Sequence, residues 1–120
     1  MCFWKQWGLA MESILLVMTN VPDAACAEVL ARVVLERKLA ACVNCLPGVK
    51  SFYRWQGAIE EDSEISLLIK TTAACYVELQ AAIKSLHPYQ VPEIIAIPVT
   101  HGWEPYLSWI VEETKKEIHV

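Results

Sequence analysis

Short apolar runs and longer stretches of helical periodicity alternate along this chain. Residues 13–19 (SILLVMT) are continuously apolar and end at a turn-like segment, which is typical of a buried strand. Pro22 and Asp23 then provide a helix start, and apolar positions recur at helical spacing on the side opposite Glu28 and Arg32. The pattern predicts a first strand followed by a helix over 24–39.

The next region predicts a long β-hairpin. Residues 41–53 are rich in Val, Cys, Phe and Tyr, and Pro47 with Gly48 in the middle indicates a bend or bulge. Gln56 and Gly57 form the turn, and residues 59–71 return through an acidic segment into an apolar one.

Two further helices and a strand follow the hairpin. Apolar residues at steps of three and four predict a second helix that Pro88 ends, since proline disfavours the α conformation in the residue before it. Residues 93–100 form a fourth strand, and Pro98 restricts it to a sheet edge or a bulge. The closing helix places these residues on one face: Leu107, Ile110, Val111, Thr114 and Ile118.

The order βαββαβ predicts an α+β, ferredoxin-like sandwich, with an antiparallel four-stranded sheet, an extended β2–β3 hairpin and a C-terminal helix. The second and fourth strands are then the edges, and the second carries few of the charges that protect an edge. Residues 13–120 form one domain, and residues 1–12 are expected to be a poorly ordered N-terminal extension.

Composition narrows the function classes. Hydrophobic residues make up 55% of the 120 residues and charged residues only 20%, which indicates that some apolar surface is buried in an oligomer. No run is long enough to span a membrane, and a net charge of −4 without a basic cluster argues against nucleic acid as a partner. The opening lacks an export signal, so we expect a cytoplasmic protein whose five cysteines are free thiols.

The segment 87–93 (HPYQVPE) is the first candidate for chemistry. Its two prolines make the loop stiff, and the loop carries His87, Tyr89, Gln90 and Glu93 at the mouth of an apolar strand. His87 is open to three interpretations: a metal ligand, a proton carrier, or the hydrogen-bonded cap of the second helix.

Two blocks of the chain resemble the CutA family, the divalent-cation tolerance proteins. They are AACVNCLPGVKSFYRWQG (40–57) and the pair LIKT (68–71) with HPYQVPEIIAIPVTHG (87–102). The resemblance implies a ferredoxin-like fold, a homotrimer joined through the hairpins, and a role in metal tolerance. It also implies a cleft between subunits with these ligand-binding residues: Tyr53, Trp55, Lys70, His87, Tyr89 and Glu93.

The same resemblance implies copper or another divalent cation as a ligand. Some bacterial relatives bind Cu(II) through a thiol near the end of the first strand and two adjacent histidines. In this chain Met18 stands where those relatives have the thiol, and Leu86 stands where they have the first of the two histidines. The candidate metal ligands are therefore His87 and Met18.

Other motifs favour structural roles. Cys42 and Cys45 are three apart in a strand and should point to opposite faces, which favours separate thiols over a joint site. The acidic residues between positions 60 and 64 are expected to form a solvated hairpin tip, since no glycine-containing ligand loop accompanies them. Trp55, Trp103 and Trp109 are expected to be core or interface anchors.

The leading hypothesis is therefore a non-enzymatic trimeric protein that binds a metal ion or small ligand between subunits. One alternative is a signalling module, similar in architecture to the PII-type proteins, that binds a small anionic metabolite beside Lys70 and acts on a regulatory protein partner. Another is an enzyme of unknown reaction that uses His87 as a base.

Overall fold

The sheet at the centre of the molecule has four antiparallel strands in the order β2-β3-β1-β4. The structure is a computed structural model and describes residues 13–115. The predicted N-terminal extension (1–12) and residues 116–120, which include Ile118, lie outside the described residues. The predicted α+β architecture is confirmed, and β2 and β4 are the edge strands as expected.

The elements follow the predicted order with shifted ends. They are listed here in chain order: β1 (Ile14–Val21), α1 (Ala24–Glu36), β2 (Cys42–Trp55), β3 (Ala58–Thr72), a 3-10 turn (Ala73–Cys75), α2 (Tyr76–Leu86), β4 (Ile95–Pro98) and α3 (Glu104–Glu113). The largest difference is β4, which has 4 residues because β1 pairs with it only at Ile95–Pro98.

Local chemistry explains where α1 begins and ends. The Asp23 side chain accepts a hydrogen bond from the Cys26 N–H at 2.8 Å and so caps the first turn. Lys38 adopts a positive φ of 58° just after the helix, and the Leu39 N–H donates back to the Val34 carbonyl. This left-handed residue ends α1 three residues earlier than the predicted limit at Leu39.

The core lies between one face of the sheet and helices α1 and α2. Alternate residues of the two central strands, including Val17, Leu67 and Ile69, point to this face and have no exposed surface. Leu30 of α1 and Ile83 of α2 pack against them and are equally buried. We call this side of the sheet the helical face and the opposite side the open face.

The open face is covered only in part. Helix α3 contacts β1 and β3, and it buries Ile110. Beyond α3, the open face keeps half-exposed apolar side chains on its two edge strands, namely Leu46 on β2 and Ile95 and Ile97 on β4. Within residues 13–115 no helix has the length and apolar character needed to cross a bilayer.

Candidate functional site

A cleft of about 750 Å³ opens between the outer half of the β2–β3 hairpin and the loop 87–94. We call this loop the proline loop. The residues that line the cleft come from β1, the hairpin and the proline loop: Asn20, Ser51, Phe52, Tyr53, Trp55, Glu64, Pro88, Tyr89, Gln90, Val91, Pro92 and Glu93. Four of the six predicted ligand-binding residues are in this set: Tyr53, Trp55, Tyr89 and Glu93.

A bulge in β2 brings the two hairpin aromatics into the cleft. Before the bulge, Leu46 pairs with Ser66; after it, Val49 pairs with Glu64, so two residues of β2 are set against one of β3 and β2 has one extra residue. The alternation of side chains therefore changes phase, and odd-numbered residues of β2 share the open face with even-numbered residues of β3. Without this shift Tyr53 and Trp55 would project from the opposite side of the hairpin.

The tyrosines of the cleft bond to carboxylates of β3. The Tyr89 hydroxyl donates to Glu64 Oε2 at 2.9 Å, and the Tyr53 hydroxyl donates to Asp62. The bond to Asp62 and the nearby carboxylates raise the pKa of Tyr53 to about 12. Burial, followed by the bond to Glu64, raises the pKa of Tyr89 well above its ordinary value. Both phenols therefore remain protonated at neutral pH.

Asn20 joins the open face of β1 to the proline loop. Its Nδ2 donates to Glu93 Oε1 at 3.4 Å, and its Oδ1 accepts from the Ser66 hydroxyl at 2.6 Å. This chain of bonds holds Glu93 at the edge of the cleft. The lining thus contains two carboxylates, Glu64 and Glu93, and among the described residues that line it there is no Lys or Arg.

His87 does not line the cleft, although it lies next to it. Its Nε2 is 2.7 Å from the Asn20 carbonyl oxygen, which can only accept, so Nε2 carries the proton. Its Nδ1 accepts from the Tyr89 N–H at 3.2 Å. Both ring nitrogens are therefore used to fix the end of α2 and the start of the proline loop, which favours the cap interpretation of this residue over the ligand one.

The residues of one chain do not fit a metal ion at the predicted position. A metal at His87 would have to displace one of its two hydrogen bonds. Met18 lies on β1 opposite Leu68 and Ile95, on the open face. Within the described part of the chain no three His, Cys, Asp or Glu side chains form a group that could hold a metal ion.

Lys70 also lies apart from the cleft of its own chain. It pairs with Leu16 and Cys42 near the far end of β3, and its Nζ contacts Asn44 Oδ1 and lies 3.8 Å from Cys42 Sγ. Its predicted place in a cleft between subunits stays a prediction. The single chain gives the cleft an acidic character, which does not match the anionic ligand inferred from Lys70.

The sequence analysis missed Asn20 and misassigned Glu64. Gln90 of the proline loop lines the cleft, whereas Asn20 was not selected, because an amide near the end of a strand has no distinctive pattern. The solvated-tip prediction is wrong for Glu64, which is only 8% exposed, whereas Asp62 is exposed as predicted and also accepts the bond from Tyr53. The available signal was the alternation of Glu60, Asp62 and Glu64, which places all three carboxylates on one face of a strand.

The structure also tests the predictions for the cysteines and the tryptophans. Cys42 pairs with Lys70 and Cys45 with Leu67, so their side chains lie on opposite faces as predicted, and the described cysteines are free thiols. The three tryptophans are not in the core: Trp55, Trp103 and Trp109 are all exposed by more than a third. The core alternative for these residues was wrong.

The βαββαβ order, the single four-stranded antiparallel sheet and the long bulged hairpin define the protein as a ferredoxin-like α+β protein. A sequence model of the CutA1 divalent ion tolerance protein family matches residues 15–113, and the chain belongs to this family.

Individual relatives agree with this assignment. The divalent-cation tolerance protein CutA of Thermus thermophilus is 46% identical over 104 residues, which cover 87% of this chain and 99% of that protein. The crystal structure of CutA from Xylella fastidiosa superposes with a TM-score of 0.83 at 45% identity, covering 85% of this chain and 98% of the other. CutA1 from Oryza sativa gives a TM-score of 0.84 at 37% identity over 88% of this chain and 96% of the other.

Proposed function

We propose that this chain is a homotrimeric, non-catalytic binding protein that holds a positively charged ligand in the cleft, at the boundary between subunits. The observation that carries the proposal is the composition of the cleft. Glu64 and Glu93 supply negative charge, the aromatic rings beside them supply electron-rich faces, and the described lining contributes no positive side chain. Such a surface attracts cations and repels anions.

The open face supports the assembly. Leu46, Ile95 and Ile97 are each more than 40% exposed, and they lie on the same side of one sheet. An exposed apolar surface of this kind is typical of a face that another chain covers. The number three comes from the resemblance to the CutA family, since the patch alone favours an oligomer without fixing its size.

The two edge strands also support an oligomer. β2 and β4 are both edge strands, and each has backbone N–H and C=O groups along its outer side without a strand partner in the described chain. Lys50 and Arg54 are the only charges on β2, which is weak protection for a strand of 14 residues. Pairing of these edges with other copies satisfies the backbone groups.

Sedimentation tests the assembly. We expect a particle of three times the 13.5 kDa mass of one chain at micromolar protein concentration. A well-folded single chain at that concentration would contradict the trimer.

Calorimetric titration tests the sign of the ligand's charge. Cu(II), Cu(I), Zn(II) and organic cations form one set of probes, and nucleotides and carboxylates form the other. We expect binding only within the cationic set, with at least tenfold weaker affinity in Glu64→Gln because that change removes a cleft carboxylate, about 1.4 kcal/mol per tenfold. In the wild type both nitrogens of His87 are used by hydrogen bonds that hold the proline loop, so His87→Ala is expected to weaken binding less than Glu64→Gln does.

The alternatives make opposite predictions in the same experiment. An anionic metabolite held by Lys70 requires that Lys70→Ala weaken binding while Glu64→Gln does not. An enzyme with His87 as base requires turnover that His87→Ala abolishes. We also place the protein in the cytoplasm, as the sequence predicts, and cell fractionation tests that location.

A further inference from the structure

We infer that the cleft binds a small guanidinium compound rather than a bare divalent metal ion. The inference rests on the proposed function for the positive charge of the ligand and adds its chemical class. It is argued from three features of the cleft: its ligand atoms, its rings and its apolar wall.

The ligand atoms are too few and already engaged for a metal ion. Zn²⁺ takes four nitrogen, sulfur or carboxylate ligands in closed sites, and Ca²⁺ takes six to eight oxygens. The described lining offers two carboxylates and contains neither a thiol nor an imidazole. Glu64 accepts from Tyr89 through Oε2 and Glu93 accepts from Asn20 through Oε1. Each carboxylate thus has one oxygen left for a hydrogen-bond donor, which suits an organic cation.

The rings suit a cation that stacks. Trp55, Tyr53 and Tyr89 all line the cleft, and the first two are about 40% exposed, so part of each ring is accessible. Cations bind over aromatic faces, with tryptophan the most favourable ring. The two phenols donate to carboxylates and stay neutral, so they act here as ring faces and not as anionic ligands.

The choice between guanidinium and ammonium follows from shape and hydration. A guanidinium group is planar and weakly hydrated, it stacks on rings, and it donates two parallel hydrogen bonds. An ammonium group is a compact and strongly hydrated charge that gives up more hydration on leaving water. Val91 and Pro92 form an apolar part of the lining that can cover the aliphatic stem of the ligand.

The cleft also has the right size for such a compound. A volume of about 750 Å³ lies within the range of pockets that take small organic ligands, about 300 to 1,000 Å³. A bare metal ion would leave most of this space to water.

Calorimetry with matched esters tests the inference on the full chain. Arginine methyl ester and citrulline methyl ester have the same backbone and stem, and they differ in that a neutral urea replaces the guanidinium. We expect the arginine ester to bind at least tenfold more tightly than the citrulline ester. Lysine methyl ester, which carries an ammonium instead, is expected to bind with intermediate affinity.

Three variants locate the binding site. Glu64→Gln and Trp55→Leu are each expected to weaken binding of the arginine ester at least tenfold. Glu61→Gln is the matched control, because Glu61 lies on the same hairpin but on the opposite face, paired with Lys50 at 3.0 Å. It is expected to leave the affinity unchanged. Trp55 is a surface side chain, so its variant remains informative if Glu64→Gln fails to fold.

Equal binding of the arginine and citrulline esters, or an affinity that neither cleft variant changes, would overturn the inference. Titration of Zn(II) and Cu(II) into the same samples separates this outcome from failure of the proposed function. One outcome is that a metal ion binds, the cleft variants abolish its binding, and the arginine ester does not bind. The guanidinium inference is then wrong, and the proposed cation-binding function still holds. If sedimentation finds a single chain that still binds the arginine ester, the trimer is wrong and the guanidinium stands.

Discussion

On the helical face of the sheet, Val17, Leu67 and Ile69 have no exposed surface, whereas on the open face Ile95 and Ile97 remain 48% and 45% exposed. The same strands build both faces, and successive residues go to alternate sides. The helical face is buried within a single chain, because α1 and α2 cover it. The open face is only partly covered, and the cleft lies along its outer end. Stability and recognition are thus separated by the pleat of the sheet and not by distance along the chain.

The sharpest test of this contrast uses two neighbouring leucines. Leu67 is fully buried on the helical face, and Leu68 is partly exposed on the open face. We expect Leu67→Ala to lower the free energy of unfolding by about 2–5 kcal/mol, because it leaves a cavity in the core. Leu68→Ala should cost less at the same protein concentration. Chemical denaturation of both variants measures the difference, and equal losses would contradict the assignment of faces.

A charge on the open face tests the assembly itself. Ile95→Asp places a carboxylate in the patch that we propose other copies cover, and a buried unpaired charge is strongly unfavourable. We expect the protein concentration needed for assembly to rise at least tenfold, while the far-ultraviolet circular dichroism stays native. Sedimentation measures this shift.

Val77→Asp is the control for that charge, because Val77 is 78% exposed on α2, away from the open face. It should leave the assembly unchanged. Loss of assembly in both variants would mean that added negative charge, and not the position of Ile95, is responsible.

The bulge gives a smaller and more local test. Gly48 has a φ of 75°, and a Cβ added there would meet no atom within 4 Å. Gly48→Ala therefore adds backbone strain without a clash, and we expect a loss of about 1–2 kcal/mol in the free energy of unfolding. Thermal or chemical denaturation measures it, with Ser51→Ala in the same strand as a control. A neutral result would show that the bulge can change its backbone conformation.

The smallest expected effect is the pH dependence caused by Tyr53. Its hydroxyl donates to Asp62, and its pKa is raised to about 12 from the ordinary value near 10. The folded state therefore holds this proton more tightly than the unfolded state, so the contribution is complete below pH 10 and is lost as pH rises through 12. The Tyr53→Phe variant should show a flatter fall in stability over this interval. A phenolate absorbance titration that finds an ordinary pKa would contradict the bond to Asp62.

Much of the fold could be predicted from local patterns. Apolar and β-rich runs bounded by turn residues identified the strands, and helical spacing identified the helices. Pro88 ended α2 at Leu86 because the residue before a proline, His87, favours an extended conformation. The ends of β1 and β4 were less accurate, because strand length depends on the partner strand: β1 continues through Asn20 and Val21 opposite β3. A turn-like sequence was overridden there by tertiary pairing.

The sequence predicted four of the residues that line the cleft, but it did not predict the negative charge of the cleft. Tyr53, Trp55, Tyr89 and Glu93 meet in the cleft, whereas Lys70 is directed to Asn44 and His87 is held by backbone groups. Sequence spacing does not reveal which hydrogen bonds a histidine makes. It also did not show that a bulge aligns Tyr53 with the carboxylates of β3, so Glu64 remained hidden in an apparently solvated acidic segment.

The bulge at Pro47 and Gly48 makes the hairpin unusually sensitive to chain length at one point. Removing or inserting a single residue there would preserve the turn at Gln56 and Gly57 and the pairing of β2 with β3. It would also leave nearly all other residues of the chain unchanged. Yet every side chain from Val49 to Trp55 would exchange sides, and the aromatic rings would leave the carboxylates that they now accompany. Two relatives that differ by one such gap could share almost all of their sequence and present unrelated chemistry at the same place.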